Sequence, residues 1–420
     1  MRESWQPFDT TCDEPRPISP LAVESLFKRI FYSASGPGDL VQSHTYWKRN
    51  EHNPSEVSLT FSGQIQDFCR DIGATAYFVS THPHATVVSD GAFTLEHRPK
   101  TPRRGFRYHL EQIRYGVGLL RTALKFGADV ALVDSGSTHY FVLLLFRLAG
   151  VKVVPILHNT LWPAGFPPTR LVARVVLALD GFFWRFGPAA VIAVSPECAR
   201  QVDQIGRRKS YQIHQMRAQF RSEHFERVPA PPPHSRRPFR VMYVGRIEAN
   251  KGVFDLLEVA RMIEAAHPGL VRWEACGSGG DLEAFKLRHA ELHLGDALVV
   301  RGWTSPQDLL QVYARSHAAI VPTRSSFQEG LAMTAAEAIL AGRPIITSAV
   351  VPALEILRDS AIEAKTDDQE SYQQCVEALA MDETLYTKLV DACAGLRAQF
   401  YDRQLGLNAV LRRALDVTGE

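Results

Sequence analysis

Largely apolar runs alternate with stretches of helical periodicity along this chain. Residues 151–157, 189–194, 239–244 and 318–322 are short runs bounded by turn signals. Such runs read as strands buried on both faces, the habit of parallel sheets covered by helices. After 239–244 comes a turn, 245–250, and then Val253, Leu256, Leu257, Ala260 and Ile263 at helical spacing. This predicts a helix from Lys251 to about His267, with Asn250 as its N-cap. Ser195-Pro196-Glu197 is a cap followed by a first-turn proline, opening a helix that Gly206 closes. Both halves therefore read as α/β with parallel sheets. The segment 31–39 is a strand running into a Gly-rich loop with Gly36 and Gly38. That loop is either a plain turn or the acceptor side of a ligand site. Residues 40–53 read as an insertion before the next helix.

Length makes two domains the natural expectation for 420 residues. The Pro-rich stretch 227–237 is extended and semi-rigid, and marks the boundary. The expected organisation is a first domain over 1–226, the linker 227–237 and a second domain over 238–400. Residues 401–420 would form a closing helix that returns to the first domain. The first fifteen or so residues are polar, so no signal peptide is expected. The most apolar stretch, 140–157, is broken by Arg147 and Lys152, too short a run to span a bilayer. Six cysteines are scattered without metal-ligand spacing, which fits reduced thiols in a cytoplasmic protein.

The candidate chemistry lies in Ser325-Ser326-Phe327-Gln328-Glu329-Gly330-Leu331-Ala332-Met333-Thr334-Ala335-Ala336-Glu337-Ala338. Glu329 sits in a loop after an apolar strand, and Glu337 inside the small-residue helix that follows. Two glutamates eight apart also occur on ordinary surface helices. This helix is rich in Ala, Met, Ile and Leu, however, so it is expected to be buried, and a buried glutamate needs a partner. Gly330 aims free amides of the helix start upward, a ready anion site. Upstream, Arg246 and Lys251 stand after a strand and at a helix start, where ligands collect in open α/β sheets. Two cations there oppose the helix macrodipole unless carboxylates such as Glu248, or an anionic ligand, offset them. A diphosphate fits best.

Several stretches then fall in a fixed order. They are Val244-Gly245-Arg246 with Lys251-Gly252, residues 274–279, Val300-Arg301-Gly302-Trp303, the Glu329 to Glu337 block, and Gly342-Arg343-Pro344-Ile345-Ile346. Over residues 240–357 the chain resembles the retaining nucleotide-sugar glycosyltransferases of the GT-B fold, family four. The resemblance implies two Rossmann-like parallel-sheet domains facing a cleft. It assigns Arg246 and Lys251, with Gly245, to the diphosphate of a UDP- or GDP-linked donor, and Gly277 to the same nucleotide-sugar site. Glu337 would take the ribose hydroxyls and Glu329 the donor sugar, with the amides of Gly330, Leu331 and Ala332 close by. The backbone around Trp303 would meet the base. His158, ending the run 151–157, matches the family's histidine at the cleft, although a lone histidine there is also often structural. Where the family often has Phe-Gly, this chain has Leu331-Ala332, which narrows the space beside the donor. No Asp-x-Asp motif occurs, so neither a metal nor a further cofactor is expected.

Charge adds a partner. Residues 1–237 carry 29 Lys and Arg against 20 Asp and Glu, a net of +9, and the remainder nets −7. Much of the excess lies in Arg98, Lys100, Arg103, Arg104, Arg107, Arg114, Arg121 and Lys125, interleaved with apolar and aromatic residues. A helix of this kind over 98–126 can lie on an anionic bilayer, or can simply pack its apolar side on the sheet. Nucleic acid is not expected as a partner. The expected function is transfer of a hexose to a glycan or lipid-linked acceptor in cell-surface polysaccharide synthesis, by a cytoplasmic enzyme peripheral on the membrane. The alternatives are a small soluble sugar acceptor, another GT-B chemistry such as epimerisation or phosphorolysis, or a non-catalytic nucleotide-sugar-binding partner.

Overall fold

A computed structural model describes residues 27–207 and 210–416. The expectation about the amino-terminal leader and the position of Cys12 lie outside the described residues. The other five cysteines are buried and unbridged.

The first sheet contains β1 (Arg29–Ser33), β2 (Thr75–Ser80), β3 (Thr86–Asp90), β4 (Phe93–His97), β5 (Val130–Asp134), β6 (Lys152–Leu157), β7 (Val191–Ala193) and β8 (Ile213–Gln215). Their order is β3-β4-β2-β1-β5-β6-β7-β8. All neighbours are parallel except β3 and β4, an antiparallel pair at one edge. The second sheet contains β9 (Phe239–Val244), β10 (Val271–Cys276), β11 (Leu298–Gly302), β12 (Ala318–Val321), β13 (Ile345–Ser348) and β14 (Ala361–Ala364), in the order β11-β10-β9-β12-β13-β14 and parallel throughout. The apolar runs explain this. Every residue of β5, β12 and β13 is buried, as a strand covered on both faces requires.

Strand order dictates where ligands collect. In the first sheet the chain builds outward from β1 to β2 and β4, then returns beside β1 to lay down β5. In the second it builds from β9 to β10 and β11, then returns to β12. Each reversal opens a crevice at the carboxyl ends of the strands. Right-handed crossovers put helices Phe106–Phe126, Leu144–Leu148, Leu171–Phe186 and Pro196–Gly206 on one face of the first sheet. The other face carries Leu40–Lys48 and Phe61–Asp71. On the latter packs helix Leu407–Ala414, its Leu407 N–H donating to Gln64 at 2.8 Å and Arg412 to Asp71 at 2.8 Å.

Three local expectations need correction. Residues 40–53 are mostly a helix, Leu40–Lys48, capped by the Asp39 side chain on the Gln42 N–H at 2.8 Å. Asn250 is not an N-cap. It lies within a tight turn, Ala249–Lys251, and Gly252 at φ +74° begins helix Val253–Ala266. Among the basic residues of 98–126, Arg98 bonds Glu96 and Thr122, while Lys100 donates to Gln112 and the Ser137 carbonyl. These two cations serve the fold and are not free to face a bilayer.

Candidate active site

Loops following β9, β10, β11 and β12 converge above the second sheet, and glycine permits the convergence. A Cβ on Gly277 would lie 1.7 Å from the Gly245 carbonyl oxygen, and one on Gly252 would lie 1.9 Å from that of Pro322. Gly277 N–H donates to the Gly302 carbonyl at 2.7 Å, and Gly245 N–H to that of Cys276 at 3.0 Å. The turns carrying Arg246, Gly277 and Trp303 therefore stack side by side. The Trp303 ring points outward, 70 % exposed, so this stack fixes its backbone and leaves its ring free.

Lys251 Nζ lies 2.5 Å from Oε2 of Glu329, and the same oxygen accepts from Thr323 Oγ1 at 3.2 Å. Both members of the ion pair are largely shielded, which strengthens it relative to a surface pair. Arg246 is half exposed and lies 2.9 Å from Glu248. The Phe327 ring serves both cations, with Lys251 Nζ 4.0 Å and the Arg246 guanidinium 5.3 Å from its centroid. Two cations gathered on one ring make a focused positive site for an anion.

Glu337 comes from helix Met333–Leu340 and is buried with it. Tyr313 OH donates to its Oε2 at 3.1 Å. Burial pushes the carboxyl up to about 7, against the opposing effect of that hydrogen bond. The Tyr313 hydroxyl is itself held well above its ordinary value, by burial first and then by the Glu337 charge. No side chain caps this helix. Ala332 precedes it at φ +65°, and Leu331 and Ala332 are buried against the uncapped first turn.

The first domain meets this loop directly. Thr160 N–H donates to the Glu329 carbonyl at 3.4 Å, and Gln328 Nε2 to the Leu161 carbonyl at 2.8 Å. A Cβ on Gly330 would lie 1.6 Å from the His158 carbonyl oxygen. His158 thus stands on the seam. Its Nε2 is 3.0 Å from Asp134 Oδ1, out of line for a hydrogen bond, so both ring nitrogens are buried without such a partner among the described residues. Phe61 packs against the ring at 4.3 Å between centroids. Asp134 is occupied through its other oxygen, which accepts from Tyr32 OH at 2.8 Å and Ser35 N–H at 3.2 Å.

The structure therefore brings Arg246, Lys251, Glu329, Gly330 and His158 together, with Glu337 just past the first turn of the adjoining helix. Gly36 and Gly38 lie on the loop after β1, tied to Thr81 N–H at 3.1 Å and Ser80 Oγ at 2.9 Å. Among the described residues these bonds keep both glycines within the first domain. Sequence reasoning missed Phe327, Asp134 and a cavity of about 360 Å³ beside the seam, lined by His109, His139, Asn159, Thr160, Trp162 and Gln328 among others. No motif announces that cavity. Asp180 also lines it, its carboxyl raised to about 7 by burial. His139 is lowered to about 4 by burial and by neighbouring His109 and Lys100. Among the described residues no group of three His, Cys, Asp or Glu is arranged to hold a metal ion.

Residues 225–393 match the family described as glycosyl transferases group 1. The match lies within the carboxy-terminal part of the chain and contains Arg246, Lys251, Glu329 and Glu337. No curated protein matches the sequence. Among solved structures, this chain is similar to the sucrose-phosphate synthase of Thermosynechococcus elongatus at 15 % identity and a TM-score of 0.67, covering 93 % of this chain and all of that one. It is similar to HepE of Anabaena in complex with UDP at 16 % identity and a TM-score of 0.64, covering 93 % and 100 %. A trehalose-phosphate synthase (UDP-forming) of Burkholderia vietnamiensis gives 13 % identity and a TM-score of 0.68, covering 94 % and 99 %. At such identities the likeness establishes the fold, which is GT-B: two parallel-sheet α/β domains facing a cleft.

Proposed function

We propose that this glycosyltransferase moves a hexose, with retention of configuration and without a metal, from a UDP- or GDP-linked sugar to a glycan or lipid-linked acceptor. The observation that carries this reading is the meeting of Lys251 and Arg246 on Phe327, with Glu329 paired to Lys251, against the His158 seam of the opposite domain. Arg246 and Lys251 bind the diphosphate and stabilise its charge as it departs, the part a metal plays elsewhere. Glu329 holds hydroxyls of the donor sugar, Glu337 those of the ribose, and the amides of Gly330, Leu331 and Ala332 lie near sugar and phosphates. The base reaches the turn of Gly277 and Trp303. The acceptor oxygen bonds to the anomeric carbon on the face from which the diphosphate leaves, and its proton passes to a departing phosphate oxygen. His158, standing at the seam with its Nε2 3.0 Å from Asp134, takes a hydroxyl of the donor sugar.

The acceptor enters from the first domain, whose net positive charge and basic helix suit an anionic membrane surface in cell-surface polysaccharide synthesis. No helix among the described residues is long and apolar enough to cross a membrane, so contact would be peripheral. A second reading has a specific basis. Two of the similar structures are named as sucrose-phosphate and trehalose-phosphate synthases, which favours a small soluble sugar acceptor. A thermal-shift panel of nucleotide diphosphates and their sugars tests the donor, since a ligand bound to the folded state raises its melting temperature. Turnover of the stabilising donor is then followed with lipid and with soluble acceptor fractions. Stabilisation by no nucleotide diphosphate would overturn the transferase reading.

A further inference from the structure

Helix Leu171–Phe186 has its amphipathic pattern reversed at the surface. Leu171, Val172, Val175, Leu179, Phe182 and Phe186 are 43–75 % exposed and recur at three- and four-residue steps, forming one apolar stripe along the outer side. Leu148, 82 % exposed, and Leu145 lie on the neighbouring helix of the same sheet face. An unpartnered stripe of this extent on a folded domain marks a contact surface.

The charges around it select the occupant. Arg147, Arg170, Arg174 and Arg185 are exposed, and none forms an ion pair among the described residues. Arg185 instead rests on the Phe186 ring at 5.0 Å. The one acid of the helix, Asp180, is buried and accepts from the Phe141 N–H at 2.8 Å on the inner side. An apolar stripe flanked by unpaired arginines and free of exposed acids complements an anionic bilayer. A second copy of the chain would bring the same arginines against themselves.

We propose that helix Leu171–Phe186 lies in the interfacial layer of an anionic membrane and delivers the acceptor from that layer into the cavity beside the seam. The inner side of this same helix lines that cavity through Ala173, Val176, Leu177 and Asp180. A lipid-linked acceptor can therefore keep its apolar tail along the outer stripe while its polar head enters between His139 and Gln328. The delivery step rests on the transferase reading, but the docking does not. The site of docking also differs from the basic segment 98–126, because apolar insertion comes from the later helix.

Flotation of the full chain with vesicles of phosphatidylcholine, with and without phosphatidylglycerol, tests this. The wild type should float with the anionic vesicles and not with the neutral ones. The double variant Val175→Asp, Phe182→Asp, both at exposed positions, should bind at least about 10-fold more weakly, because two inserted apolar side chains are lost. Its thermal stabilisation by nucleotide diphosphate, measured without vesicles, should match the wild type and so reports separately on the transferase reading. Three results overturn the proposal: a wild type that ignores anionic vesicles, a double variant that floats normally while Arg103→Glu, Arg104→Glu, Arg107→Glu does not, or a wild-type dimer that the double variant converts to monomer.

Discussion

Gly330 approaches His158 so closely that a Cβ on the glycine would lie 1.6 Å from the histidine's carbonyl oxygen. The contact joins the two domains at the point where the donor loop meets the end of β6. Any side chain at 330 must push Glu329 and the helix start away from the first domain. Gly330→Ala should therefore lower transfer by about 10²-fold, the scale of a 1 Å misplacement in a positioned site. Each domain's own core should persist, so circular dichroism should stay native while kcat/KM falls. Wild-type kcat/KM in this variant would show that the seam does not position the site.

Arg246 and Lys251 carry the same proposed duty in different surroundings. Each alanine variant should raise the transfer barrier by about 2–4 kcal/mol if it acts like a lost oxyanion donor. Their effects on folding should differ. Arg246 is 54 % exposed, so its loss is nearly neutral to stability. Lys251→Ala strips the shielded Glu329 of its cation and should also cost about 1–3 kcal/mol of stability. Denaturant titration beside single-turnover kinetics separates the two effects. Unchanged turnover in either variant refutes the diphosphate assignment.

The residues that sequence order could reveal were those that follow strands in a fixed succession. Local pattern sufficed to place Arg246, Lys251 and Glu329 in turns after strands and Glu337 on the helix that follows. Phe327 and Asp134 were invisible because their roles come from tertiary meeting, a ring beneath two cations and a carboxylate beside a histidine from another strand. The helix Leu40–Lys48 escaped notice because only Leu40 and His44 are buried, too little apolar periodicity to signal a helix. Asn250 looked like a cap by residue type, yet Gly252 alone can pass beneath the Pro322 carbonyl. The outward stripe of Leu171–Phe186 reads like an ordinary core-facing pattern until the fold shows which side faces solvent.

Arg343 is fully buried and donates to the carbonyls of Ser316, Ala314 and Pro229, tying the Pro-rich linker to the second domain. Burial lowers its pKa to about 10, still far above neutrality, so it stays charged and its partners matter. Arg343→Met keeps much of the volume but leaves those carbonyls unpaired. It should destabilise the protein by about 3 kcal/mol. Nucleotide binding at low temperature should survive, because the Arg343 side chain hydrogen-bonds backbone carbonyls outside the site and none of Arg246, Lys251, Glu329 or Glu337. A denaturation midpoint equal to wild type would refute this structural role.

Glu337 offers a test in which stability and affinity move in opposite directions. Its carboxyl is raised from an ordinary value of 4.5 to about 7 by burial. Between those values the folded state holds a proton that the unfolded chain has released. Stability should therefore fall as pH rises from about 4.5 to about 7, and level off above. Ribose hydroxyls donate best to the ionised carboxylate, so affinity for the bare nucleotide diphosphate should rise across the upper part of that range. The diphosphate titrates there too, near pH 6, so Glu337→Gln supplies the control. That variant should lose this part of the pH dependence, be at least as stable as wild type at pH 8, and bind the bare nucleotide about 10-fold more weakly. Glu329→Ala, which removes a sugar contact, should leave bare-nucleotide affinity nearly unchanged. Calorimetry of both variants at pH 6 and pH 8 decides the matter, and equal losses of nucleotide affinity would refute the division between ribose and sugar.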